Sequence, residues 1–142
     1  MEGELEMGCL FCSIVNKEIP AWVIYEDERT LAFLDIHPRA PGHTMIIPKS
    51  HVASLLDLED RDVGPLFGAV RAVEMRILEV LHPEGFTIGI NQGRAAGQEI
   101  DHLHVHILPR FFRDGGRAIQ GLVNNPPRES LEEIAEKLSI KK

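Results

Sequence analysis

The run His102-Leu103-His104-Val105-His106-Ile107 constrains this chain more than any other stretch. Imidazoles and aliphatics alternate with a period of two, the period of a half-buried strand. Successive side chains on a strand point to opposite faces. The three imidazoles therefore share one face, and Leu103, Val105 and Ile107 share the other. The aliphatics anchor the segment in a core, which predicts a rigid strand over residues 102–108.

The remaining periodicities supply partners for that strand. Residues 9–17 read as a short helix ending before Pro20. Strands are expected at Val23–Glu26, Thr30–Leu34, 44–47 and 86–90. Val63, Leu66, Phe67, Val70, Val73, Ile77 and Leu81 recur at helical spacing, predicting a long helix over 63–81. Pro65 is tolerated in a first turn, which places the cap at Asp62. Ser130 followed by Glu133 signals a capped helix over 130–138. The order predicts an α+β domain, a five-stranded mostly antiparallel sheet with a short N-terminal helix, one long helix and a C-terminal helix. Residues 1–8 read as a flexible leader, 9–110 as the domain, and 111–142 as an extension packing on it.

Composition narrows the function classes. The formal net charge is -7, which argues against a nucleic-acid binder, whose affinity comes from Lys and Arg on phosphates. The first residues lack a basic start and an apolar stretch, and no apolar run reaches the length of a membrane span. With only two cysteines the chain is not a disulfide scaffold, so a cytoplasmic protein is expected.

A histidine face has three readings: a solvated face, a metal site, or nucleophilic catalysis in which one ring nitrogen attacks while the other is held by an acceptor. The segment Asn91-Gln92-Gly93-Arg94-Ala95-Ala96-Gly97-Gln98 supplies amides and glycines just before the run. Such a loop suits an anion, and favours the catalytic reading. Cys9 and Cys12 have the spacing of half a zinc site, against a redox pair or two buried thiols.

Taken together, these residues resemble the histidine triad (HIT) family. The likeness rests on His-x-His-x-His with Ala96-Gly97-Gln98 before it and Leu108-Pro109-Arg110 after it. It extends through Lys17-Glu18-Ile19-Pro20, Glu26-Asp27, Ala32-Phe33-Leu34-Asp35-Ile36, Pro41-Gly42-His43 and Ile47-Pro48-Lys49-Ser50-His51. It covers about residues 9–110 and is nearest the Hint-like, prokaryotic branch. The resemblance implies a homodimer that binds a purine nucleotide of the AMP or GMP type. It implies transfer of the nucleotidyl group to a histidine, with phosphoramidates or related conjugates as substrates. Dinucleoside polyphosphate hydrolysis and a non-catalytic regulatory module are the alternatives.

By motif position His104 is the nucleophile, His106 contacts phosphate and assists the leaving group, and His43 supports the triad. Asn91 and Gln98 are expected at the phosphate, Gly97 and Glu99 in the same nucleotide site, Asp35 at the ribose, and Phe11, Ile14, Phe33 and Ile36 around the base. Matching Cys pairs in some prokaryotic members imply a structural zinc on Cys9, Cys12, His51 and His102, with no catalytic metal. Leu34 stands where a histidine is common, and Glu99 where a Ser or Thr usually helps the leaving group.

Overall fold

The computed structural model describes residues 8–141; all of the expected leader except Gly8 lies outside the described residues. The elements run α1 (Leu10–Val15), β1 (Val23–Glu26), β2 (Thr30–Leu34), β3 (Thr44–Pro48), α2 (Asp60–Leu81), β4 (Gly85–Gly89), β5 (Val105–Arg110) and α3 (Leu131–Leu138). The five strands form one sheet in the order β1-β2-β3-β5-β4, and every pairing is antiparallel. Asp27 turns β1 into β2 by accepting the Arg29 and Thr30 backbone N–H groups, both at 2.8 Å. Among the described residues no helix is long and apolar enough to cross a membrane.

Alternation along the strands divides the core in two. Ala32, Ile46, Val105 and Ile107 meet Leu66, Ala69, Val70, Val73 and Ile77 of α2 on one face. On the other face Leu31, Phe33 and Ile47 meet Phe11 and Ile14 of α1. The short α1 covers β2 and β3, so that face stays open over β5 and β4. There His106, Leu108 and Arg110 alternate with the buried Val105, Ile107 and Pro109.

Two expected boundaries move, each for a tertiary reason. α2 begins at Asp60 with Glu59 at its N-cap, not at an Asp62 cap. Asp62 is instead buried and receives Arg29 Nη1 at 2.7 Å. Pro65 thus lies in the second turn, at the cost of one intrahelical bond. β5 begins at Val105, so His102 and His104 precede the strand. Beyond Ile46 the β3–β5 ladder stops. There the Pro48 carbonyl accepts His102 Nε2–H at 2.8 Å, while Leu103 N–H goes to the Val52 carbonyl at 2.7 Å.

Candidate functional site

The three imidazoles of the run enter three different environments. His102 is fully buried. Its Nε2–H is committed to the Pro48 carbonyl, so the Nδ1 lone pair faces the two sulfurs. Nδ1 lies 3.5 Å from Cys9 Sγ and 3.6 Å from Cys12 Sγ, and His51 Nδ1 lies 3.2 Å from Cys12 Sγ. Cys9 also caps α1, its Sγ accepting Cys12 N–H at 3.4 Å. All four donor atoms fall within 4.8 Å of one another. A tetrahedral zinc with Zn–S near 2.3 Å and Zn–N near 2.0–2.1 Å separates sulfur from nitrogen by about 3.5 Å. The donor set therefore fits a closed metal site. Burial, the main cause, holds the His102 pKa down to about 4.

His104 is turned the other way. Its Nδ1–H donates to the His102 carbonyl at 2.7 Å, which leaves Nε2 with the lone pair. Phe11 packs edge-on against the ring at 5.1 Å, and His106 stands 5.1 Å away on the other side.

His106 is placed by a chain of hydrogen bonds that begins in the loop after β2. Arg39 N–H donates to His43 Nδ1 at 3.1 Å. His43 must then carry its proton on Nε2, which donates to His106 Nδ1 at 2.9 Å. His106 consequently carries its own proton on Nε2. Burial lowers the pKa of His43 and brings that of His106 down to about 4, against an opposing pull from Asp35 on both. Gly42 lets the loop reach this position. It has φ +86, and a Cβ there would sit 2.8 Å from Leu81 Cδ1. Asp35 Oδ2 lies 3.5 Å from His43 Nε2, and its Oδ1 accepts His37 N–H at 2.8 Å.

The open half of the sheet holds a cavity of about 570 Å³, with His43, His106, Arg39 and Asn91 on its wall. Sequence reasoning missed its other side, the segment 114–122, which has no periodicity to signal it. The tight pair Gly115-Gly116 beyond Arg110 was the available clue.

Several residues expected at the nucleotide make contacts within the chain. Gln98 uses its whole amide there. Its Oε1 accepts Gly93 N–H at 2.9 Å, and its Nε2 donates to the Ala53 and Ile100 carbonyls at 2.9 and 3.1 Å. Phe11, Ile14 and Phe33 are core residues with 2%, 8% and 2% exposure, because α1 folds onto β2 and the two phenyl rings meet edge to face at 5.4 Å. Ile36 is 72% exposed beside Asp35. Gly97, at φ +95, and Glu99 are exposed and do not line the cavity.

A five-stranded antiparallel sheet carrying a His-x-His-x-His segment and a fourth histidine defines the class. A HIT domain model matches residues 16–113. The chain belongs to the histidine triad (HIT) family, some of whose members similar to it carry hydrolase names. An uncharacterized HIT-like protein, MJ0866, of Methanocaldococcus jannaschii is 44% identical over 117 residues, 82% of this chain and 90% of that protein. The adenosine 5'-monophosphoramidase hnt1 of Schizosaccharomyces pombe is 34% identical over 136 residues, 95% of this chain and 98% of that protein. Adenylylsulfatase HINT3 of Arabidopsis thaliana is 37% identical over 110 residues, 78% of this chain and 56% of that protein. Among solved structures, SMU.412c of Streptococcus mutans matches with TM-score 0.82 and 34% identity, covering 97% of this chain and 84% of that one. A zinc-bound histidine triad family protein from Mycobacterium smegmatis matches with TM-score 0.69 and 37% identity, covering 87% and 85%.

Proposed function

We propose that the chain is a nucleotidyl hydrolase that forms a covalent intermediate on His104 with purine nucleoside phosphoramidates or related conjugates. The observation that carries this reading is the 2.7 Å bond from His104 Nδ1–H to the His102 carbonyl. It fixes one tautomer and leaves the lone pair on Nε2, in a ring 5.1 Å from that of His106. In the first step Nε2 attacks the α-phosphorus. The bond from phosphorus to the leaving group breaks, the electron pair departs with that group, and a departing amine takes the proton of His106 Nε2. His106 Nε2–H donates a hydrogen bond to the charge that develops. Water then attacks the phosphorus of the intermediate, its proton restores His106 Nε2–H, and the P–N bond returns its pair to His104. Asp35 accepts the ribose hydroxyls, and Asn91 contacts the phosphate. The test is mass spectrometry for an AMP adduct on His104 after mixing with adenosine 5'-phosphoramidate. An adduct that forms and decays supports the hydrolase; bound AMP without adduct or turnover supports the regulatory module.

Zinc on Cys9, Cys12, His51 and His102 is proposed as a structural ion. The sulfur–nitrogen spacings support it, as does the donor chemistry, two thiolates and two neutral imidazoles. Bound there, zinc would tie α1 to the loops that carry His51 and His102. A second group, Asp35, His43 and His106, also brings donor atoms within 4.8 Å of one another. That proximity supports a metallohydrolase as the second reading, but the His43 Nε2 proton already lies between the two rings. Activity lost on chelation with the fold intact would favour the metallohydrolase. A homodimer is proposed as well. The exposed stripe of Phe67, Met75 and Leu78 on α2 supports it, and sedimentation equilibrium tests it.

A further inference from the structure

The cavity beside His43 and His106 has one clamped wall. Arg110 donates from Nε and Nη2 to the two Asp114 carboxylate oxygens at 2.7 and 3.1 Å. Its Nη1 donates to Thr87 Oγ1 at 3.0 Å and to the Arg117 carbonyl at 2.8 Å. Asp114 also accepts N–H groups from Phe111 at 3.1 Å and Gly116 at 2.8 Å. A Cβ at Gly116 would lie 2.6 Å from Arg110 Nη2, so the backbone there closes on the guanidinium as only glycine allows. This clasp folds residues 111–117 back over the sheet and sets Arg117, Ile119 and Leu122 at the cavity edge. Arg110 and Asp114 neutralise each other. The other two arginines of the lining, Arg39 and Arg117, carry no ion pair among the described residues. The charge of Arg39 is felt at His43, whose pKa it helps to lower. Among the nearby acids Asp35 faces His43 from outside the lining, and Asp101 is turned to Arg94 at 3.0 Å.

We propose that this cavity is the leaving-group subsite of the nucleotidyl transfer, and that Arg39 and Arg117 select leaving groups that carry negative charge. The proposal rests on the reading of His104 as nucleophile. The cavity adjoins His106, the histidine on the leaving-group side, and it is cationic in a chain of net charge -7. Leaving-group chemistry agrees. An amine needs a proton to depart, whereas a phosphate or sulfate keeps the bonding pair as a stable anion. For an amine that proton is the one on His106 Nε2, which the attacking water restores in the second step; a leaving group already anionic needs none.

The test compares two AMP phosphoramidates that share the P–N linkage, one of tryptamine and one of tryptophan, which adds a carboxylate. At low salt the ratio of kcat/KM should favour the tryptophan conjugate by about 5–10-fold and shrink with added salt. In the double variant Arg39→Gln, Arg117→Gln the ratio should fall toward one. A wild-type ratio at or below one, or a ratio that the double variant leaves unchanged, overturns the subsite. If neither conjugate is cleaved and no adduct forms on His104, the nucleophile reading fails and the subsite falls with it. An adduct with no charge preference overturns the subsite alone.

Discussion

One face of the sheet is built in two ways. Over β2 and β3 it is closed. α1 seals it with Phe11 and Ile14, and the four sulfur and imidazole donors gather at the seam. Over β5 and β4 it is open, and His106 looks into the cavity. His104 stands between the halves, its back against Phe11 and its side against His106. The difference teaches that burial and hydrogen-bond partners, not residue type, give each imidazole its work. His102 turns Nδ1 to the two sulfurs because Pro48 holds its Nε2, whereas His104 keeps Nε2 because its neighbour's carbonyl holds Nδ1.

The largest expected effect breaks the boundary between the halves. His104→Ala should lower kcat by about 10³-fold or more, with adduct formation lost. Replacing a buried ring against Phe11 also costs stability, so the folded fraction is checked by circular dichroism in the same experiment. Activity within tenfold of wild type would remove His104 from the nucleophile's place.

The closed half should respond in stability first. Cys12→Ser removes a buried donor that faces both His51 and His102. Loss of a structural metal should cost about 3–5 kcal/mol, or roughly 10 °C in Tm, with about one zinc per chain lost in metal analysis. The open half, disturbed by His106→Asn, should keep its zinc while turnover falls. A zinc ratio near zero in wild-type protein, with no stabilisation when zinc is restored, would sink the site.

Much of this arrangement was legible because it is local. β1 and β2 fall where alternation and the Glu26–Arg29 turn put them, and the two cysteines sit on one turn of helix. What escaped depends on contacts distant in sequence. Asp62 reads as a cap until Arg29, 33 residues earlier, is found against it. Residues 102–104 read as strand until the Pro48 carbonyl takes the His102 ring. Phe11, Ile14 and Phe33 have the composition of a base pocket and of a core alike, and the docking of α1, distant from β2 in sequence, is what buries them. Residues 114–122 form a wall because Arg110 holds them, and no periodicity records such a clasp.

The open half should also be sensitive to pH through His106. Its pKa is about 4 in the fold, against about 6.5 for a free imidazole. Between these values the unfolded chain binds the extra proton, so stability is full above about 6.5 and falls as pH drops toward 4. His43 is lowered also and adds with the same sign. Denaturant titrations at pH 7 and pH 4.5 should show a smaller loss for His106→Asn than for wild type, by up to about 2 kcal/mol. An equal loss in both would mean that the ring titrates normally in the fold.

The smallest effect concerns the residue that joins the halves. Gln98 holds the Gly93 turn with its oxygen and reaches across to the Ala53 carbonyl, two residues beyond His51, with its nitrogen. A phosphate ligand and a brace fail differently when truncated. Gln98→Ala leaves one N–H and two carbonyls to find other partners, at about 1–3 kcal/mol for groups that stay buried. Thermal unfolding should therefore drop by several degrees in the absence of any nucleotide. The loss should also reach the closed half, lowering zinc retention under mild chelation, because the loop that presents His51 is no longer tied to the loop before His102. Unchanged Tm with weakened AMP binding would return Gln98 to the phosphate and make the halves independent there.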